Sequence, residues 1–290
     1  MSHSSLQHHP LIILGTGYTG RRLYHQAREA GWKVFATSRT PDVHLFDISP
    51  EHRILFDLVR PETWRSIPIP AHIIWCFPAS PLNLVQAFFA ARPIDSGRII
   101  VMGSTSAYGT NCELVTEQTP LNHHLSRVQG EEYLRTRMGA VIIRLAGLYG
   151  PGRHVLDWIR KGKIRNTRKW VNLLHVEDAA GICLRALEQA PDGATYLASD
   201  GRPRTWAEIF LAAESAWNIT HLSPTSAHET GKQISIHKLL TDLNYTLRVP
   251  DLYQALAQIE ENSSSAFGLS SHRSAPIEKT PQGNLPPSRY

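Results

Sequence analysis

LIILGTGYTG, residues 11–20, is the stretch that decides how the rest of the chain is read. Its first four residues are an unbroken apolar run of the kind a buried strand needs. GTGYTG follows at once, matches GxGxxG and opens a segment of helical period. In such a turn Gly15 permits the tight bend, Gly17 lets backbone approach a diphosphate, and Gly20 lets helix and strand pack closely. The amides at the start of the helix point at the anion. Gly15, Thr16, Gly17, Tyr18, Thr19 and Gly20 are therefore the first candidate binding residues, for a dinucleotide.

Outward from that turn, short β-branched or apolar runs recur at 33–38, 54–58, 72–77, 98–104 and 140–146. Helical periods lie between them. YTGRRLYHQAREAG aligns Leu23, Tyr24, Ala27 and Ala30 on one face, LNLVQAFFAA aligns Leu82, Val85, Phe88 and Phe89, and residues 176–190 read as a further helix. Alternating strand and helix predicts an α/β fold, a doubly wound, mostly parallel Rossmann sheet with helices on both faces. The expected organisation is a flexible N-terminus at 1–10 and a dinucleotide-binding domain at 11–200. A small C-terminal substrate-capping region spans 201–258, together with 151–170. Residues 259–290, rich in Ser, Pro and Gly, are expected to be a disordered tail.

The second strand should end where an acidic side chain would grip the adenine ribose of NAD. The chain reads ATSRT there. Ser38 leaves room and Arg39 offers a guanidinium fork suited to a phosphate, so NADP is the expected cofactor, with NAD kept as the alternative by nearby Asp42.

Composition narrows the class. The 290 residues are 42% hydrophobic and 19% charged, ordinary for a globular protein. No apolar run approaches the roughly 18 residues of a membrane span. MSHSSLQHHP lacks the basic start and apolar stretch of a signal peptide, and the cysteines, Cys76, Cys112 and Cys183, are odd in number without CxxC pairs. A cytoplasmic protein is expected. Net charge is +5, and RKGKIRNTRK (160–169) holds six basic residues in ten, enough to draw in an anionic ligand. No aromatic ladder or zinc spacing accompanies it, so neither nucleic acid nor a metal is expected.

Several further stretches together resemble the NAD-dependent epimerase/dehydratase family, the extended or atypical short-chain dehydrogenase/reductases, over residues 11–256. They are FDL (56–58), CFPAS (76–80), GSTSAYG (103–109), VTEQTPL (115–121), RLAGLYGPGR (144–153), NLLHVEDAA (172–180) and KQISIHKLLTDLNYTLRVPDLYQAL (232–256). The resemblance implies that Asp57 and Leu58 face adenine and that Phe77 and Pro78 lie beside the cofactor ribose. It also implies hydride exchange assisted by a Ser or Thr hydroxyl, a Tyr acid/base and a Lys.

Ser104, four residues before Tyr108, matches the hydroxyl. Where the tyrosine and lysine belong, NHHLSRVQGEEYL (122–134) offers His123 and Arg127. Their spacing predicts one shared helix face. A histidine exchanges protons near neutral pH unaided, and Arg127 is left to orient the nicotinamide ribose. Tyr108, Arg153 and His154 are candidate substrate residues, and His175 and Asp178 are expected to tie strand to helix. Only 19 residues separate Arg153 from Leu173, short for a site that holds a sugar nucleotide.

Two readings follow. One is an NAD(P)-dependent oxidoreductase or epimerase-like enzyme with a non-standard acid/base pair, acting on a small or sugar-like, anionic carbonyl or hydroxyl compound, with a homodimer allowed. The other is an NADP-binding protein without turnover, serving as a redox sensor or partner-binding module.

Overall fold

The computed structural model describes residues 8–92, 97–220 and 228–270. The expectations for residues 1–7 and 271–290 concern positions outside that set. The strands are β1 (Leu11–Leu14), β2 (Val34–Ser38), β3 (Arg53–Leu55), β4 (His72–Trp75), β5 (Ile99–Ser104), β6 (Asn111–Val115), β7 (Val141–Leu145), β8 (Gly147–Tyr149), β9 (Trp170–Val171), β10 (Leu173–His175), β11 (Thr195–Ala198), β12 (Arg204–Thr205) and β13 (Gly231–Ile234). Seven of them form one sheet in the order β3-β2-β1-β4-β5-β7-β11, parallel throughout. All six strands anticipated from apolar runs are present. The seventh, β11, was not anticipated; it closes the sheet beyond β7.

The main helices are α1 (Tyr18–Glu29), α2 (Leu82–Ala91), α3 (Ser126–Met138), α4 (Val155–Arg160), α5 (Val176–Gln189), α6 (Trp206–Trp217), α7 (His237–Asp242) and α8 (Leu252–Ser270). Strand periodicity sorts them into two layers. Leu11 and Ile13 of β1 join a core with Leu23, Tyr24 and Ala27 of α1 and with Ile182 and Leu187 of α5. Ile12 and Leu14 point the other way, into Val85, Phe88 and Phe89 of α2 and Leu134 of α3. Ala30, expected on the buried face of α1, is exposed because the helix ends at Glu29 and Ala30 caps it.

A third apolar cluster lies outside the sheet. Tyr149, Leu156 and Ile159 pack there with Ile209 and Phe210 of α6 and Leu252 and Leu256 of α8. The pairs β8–β10, β9–β12 and β6–β13 form three small two-stranded sheets apart from the main one. The helix α8 carries ordered chain past residue 258, where a disordered tail was expected to begin. The physical reason is Glu260, which receives both Arg160 terminal nitrogens, at 2.8 and 2.6 Å, and so fastens α8 to α4.

Because β1 sits between β2 and β4, the sheet order reverses beside it, the position at which an open α/β sheet forms a crevice at the carboxyl ends of its strands. That crevice is where the candidate residues gather. No helix among the described residues is long and apolar enough to cross a membrane.

Candidate functional site

The glycine turn has the form its sequence predicts. Gly15 adopts φ +83°, and a Cβ there would meet the Phe77 ring at 2.7 Å. Its amide donates to Thr37 Oγ1 at 2.9 Å, and Thr37 in turn donates its amide to Thr16 Oγ1 at 3.0 Å, which ties the turn to β2. Gly20 lies against the Gly15 carbonyl, 3.0 Å from where a Cβ would stand, so helix and strand touch. At Gly17 a Cβ would find nothing within 4 Å. Gly17 is also the N-cap of α1, without a side-chain cap and without an acidic residue in the first turn. The helix therefore presents uncapped amides and an open backbone, a cradle that fits a diphosphate.

At the end of β2, Ser38 Oγ accepts from the Thr40 amide at 3.1 Å and lies 3.2 Å from His44 Nδ1. Arg39 is exposed, with no hydrogen bond or ion pair to the described residues. Asp42 lies 3.7 Å from Arg53. On the adjacent loop Asp57 accepts from the Val59 amide through Oδ1, at 3.2 Å, and Leu58 is buried. Phe77 lies over Gly15 and 4.6 Å from the Trp75 ring, with exposed Pro78 beside it. The expected cofactor residues thus line the loops after β1, β2, β3 and β4.

The expected reactive residues meet only in part. Ser104 ends β5, and its Oγ accepts from the Ser106 amide at 3.2 Å. The Ser106 hydroxyl accepts from an Arg127 terminal nitrogen at 3.3 Å, so Ser104 and Arg127 share a bridge. The first residue of α3 is joined to the loop after β4 by the Ser80–Ser126 hydroxyl pair at 3.1 Å. His123 corrects the sequence reading. It is exposed in a turn three residues before α3 begins, so it and Arg127 do not share a helix face. The reason is local: Asn122 Oδ1 accepts from the His124 amide at 3.1 Å, which favours the turn over another helical residue.

Four residues not among those candidates, Arg144, Glu131, Glu132 and Lys232, build the floor of this region. Arg144, an arginine inside the apolar strand β7, is 1% exposed. It donates to Glu131 Oε2 at 3.2 Å, to the Tyr108 hydroxyl at 3.2 Å and to Glu132 Oε1 at 3.0 Å. Burial pushes Glu131 above the usual carboxylate range despite Arg144 and Arg127. Burial also raises Glu132, but Arg135 and Arg144 outweigh it and the net shift is downward. Arg127 Nε and Glu131 Oε1 lie 3.5 Å apart.

The fourth is Lys232 on β13, whose ammonium donates to the carbonyls of Thr105 at 2.6 Å, Tyr108 at 2.8 Å and Gly109 at 3.4 Å. Burial, with Lys169 nearby, holds its pKa below the ordinary lysine value.

The three candidate substrate residues separate. Tyr108 is 2% exposed, gives its hydroxyl oxygen to Arg144, and is raised in pKa by burial. His154 faces α8, 3.4 Å from the Leu256 carbonyl and 3.4 Å from Glu260. Its donor atom and those of Asp157 and Glu260 lie within 4.8 Å of one another, but Arg160 and Lys161 already neutralise the two carboxylates. Arg153 is exposed beside the glycine turn, 5.3 Å from the Tyr18 ring centroid. His175 joins strand to helix as expected, whereas Asp178, expected to do the same, ties α5 to the chain that follows α7. His175 Nδ1 accepts from the Glu177 amide, while buried Asp178 accepts from Tyr245, Arg248 and Val249. Burial lowers the His175 pKa.

Residues 11–198 match the sequence profile described as the NAD dependent epimerase/dehydratase family. Protein YeeZ of Escherichia coli (strain K12) is 40% identical over 204 residues, which cover 63% of this chain and 74% of that one. Among solved structures, a short-chain dehydrogenase/reductase superfamily protein from Agrobacterium tumefaciens with bound NAD superposes with a TM-score of 0.73 at 13% identity, over 91% of this chain and 100% of that one. The dTDP-glucose 4,6-dehydratase of Bacillus anthracis str. Ames, in complex with NAD, gives a TM-score of 0.70 at 14% identity, over 89% and 98%. At these identities the structural likeness is one of fold.

Proposed function

Because the chain belongs to the NAD dependent epimerase/dehydratase family, we propose that it is an NADP-dependent oxidoreductase or epimerase-like enzyme acting on a small or sugar-like, anionic carbonyl or hydroxyl compound. The bound cofactor supplies hydride exchange. The open backbone at Gly17 supports diphosphate binding there, and Arg39, without an ion-pair partner among the described residues, supports a 2′-phosphate, all the more as Asp42 faces Arg53. The observation that carries the reaction is the bridge from Ser104 through Ser106 to Arg127, which sets a hydroxyl and a guanidinium side by side at the crevice.

In this reading Ser104 polarises the reacting oxygen, His123 exchanges the proton from its exposed turn, and Arg127 orients the nicotinamide ribose. Asp57, Leu58, Phe77 and Pro78 flank the adenosine and ribose. The field of Lys169 and its basic neighbours favours an anionic substrate.

The test is NADPH oxidation against a panel of small carbonyl acids and nucleotide sugars. Turnover by the wild type that falls about a hundredfold in Ser104→Ala and His123→Ala is the expected result. Unchanged rates in both variants refute the assignment of roles.

A second reading, cofactor binding without turnover, is favoured by one observation: His123 lies outside α3, while Arg127 is held between Ser106 and Glu131. Tight NADPH binding with no consumption across the panel is its signature.

A further inference from the structure

Arg153, like Arg39, is an arginine at the crevice without an ion-pair partner among the described residues. Two guanidiniums flank the Tyr18 ring, Arg22 at 4.2 Å and Arg153 at 5.3 Å from its centroid. Arg22 is committed: it donates to the Tyr18 carbonyl at 2.9 Å and the Pro151 carbonyl at 3.1 Å, and lies 3.7 Å from Glu177. Arg153 makes no hydrogen bond through its side chain and no ion pair among the described residues, and it is exposed. A free cation is thus held over the first residue of α1.

Its position is set by backbone rather than by chance. Gly150 and Arg153 exchange amide hydrogen bonds, at 3.2 and 2.9 Å, which closes their loop into a tight turn. Arg22 pins that turn to α1 through the Pro151 carbonyl. Gly150 lies against α1 so closely that a Cβ on it would stand 2.9 Å from the Tyr18 hydroxyl and 3.1 Å from His175 Nε2. The turn and the helix start therefore form one surface, with the open backbone of Gly17 next to Tyr18.

We infer that Arg153 binds the diphosphate of the dinucleotide cofactor from the side opposite the glycine turn, rather than an anionic group of the substrate. The inference rests on the cofactor reading of the glycine turn. Helix amides and backbone at Gly17 meet one side of the diphosphate. The guanidinium, a planar fork of donors, closes on the remaining oxygens, and its charge complements the two negative charges that helix amides alone leave uncompensated. Tyr18 serves as the platform on which the guanidinium rests, as cation–π stacking allows.

The test uses the full chain, Arg153→Gln and Arg39→Ser, and three probes: NADPH, ADP-ribose, which keeps the diphosphate and lacks the 2′-phosphate, and adenosine 2′-monophosphate, which lacks the diphosphate. Affinities are read by titration calorimetry, and thermal melting monitors folding. For Arg153→Gln the expectation is a loss of about tenfold for NADPH and ADP-ribose with the 2′-monophosphate unchanged. Arg39→Ser should weaken NADPH and the 2′-monophosphate and spare ADP-ribose.

Wild-type affinity for NADPH and ADP-ribose with no loss in Arg153→Gln overturns the inference and leaves the cofactor reading intact. Equal loss for all three probes in Arg153→Gln also overturns it, since the residue would then act through the fold. A wild type that binds neither NADPH nor NADH overturns the cofactor reading itself.

Discussion

Arg144 and Glu131 meet inside the protein, Nε to Oε2 at 3.2 Å, with side chains 2% and 1% exposed. The pair draws in Glu132 and Tyr108, so that a strand, a helix and the loop after β5 are joined by one guanidinium. The two glutamates beside it respond to acid in opposite senses. Glu131 is raised, so its contribution to stability is complete below the ordinary 4.5 and is lost as pH rises through its folded value. Glu132 is lowered, so its contribution is complete above 4.5 and is lost as pH falls through its folded value. Glu132→Gln should therefore flatten the acid limb of a stability-against-pH curve measured by urea unfolding, and an unchanged acid limb contradicts this assignment.

Gly17 and Gly20 should separate binding from folding. Gly17→Ala places its methyl in open space, so the melting temperature stays close to wild type while NADPH affinity drops about tenfold or more, because the methyl occupies the diphosphate's approach. Gly20→Ala pushes against the Gly15 carbonyl and Ile13 and should lower stability by about 1–3 kcal/mol. Thermal melting with fluorescence titration reads both, and a destabilised Gly17→Ala with normal affinity is the contrary result.

Arg39 should govern the choice between cofactors. Arg39→Asp is expected to weaken NADPH by about tenfold or more and to leave NADH little changed, since only the former carries the 2′-phosphate. Equal losses for the two would remove Arg39 from the cofactor site.

Asp178 holds the chain that follows α7. Its carboxylate takes three hydrogen bonds from Tyr245, Arg248 and Val249 and is 0% exposed. Asp178→Ala should cost about 3–5 kcal/mol, the scale for breaking a buried charged network. Limited proteolysis should then cut between residues 243 and 252 while cutting elsewhere stays slow; wild-type resistance there would refute the tie.

How far the sequence carried these conclusions depended on the range of the interactions involved. The glycine turn and six strands were readable because periodicity and turn chemistry are local. β11 is not legible because TYLA (195–198) has no run of Val or Ile to mark it as a buried strand, and it is recognised by its pairing with β7. His123 was placed on a helix because a spacing of four fits one, yet the Asn122 side chain bends the chain first. Arg144 did leave a signal, since a charge inside the apolar run VIIRL must find a buried partner, but nothing local identifies Glu131 as that partner. Lys232 left none: it serves carbonyls more than 120 residues earlier, a relation that only the folded chain displays.

Gly130 has a mechanical consequence. A Cβ there would stand 1.8 Å from the Ala79 carbonyl oxygen, so the backbone of α3 rests directly on the loop after β4 without a side chain between them. Side chains can change rotamer and absorb displacement, whereas two backbones in contact cannot. The loop that carries Phe77 and the helix that carries Arg127 are therefore geared together without slack. A shift of one therefore presses on the other, and a side chain at Gly130 would have to push loop and helix apart.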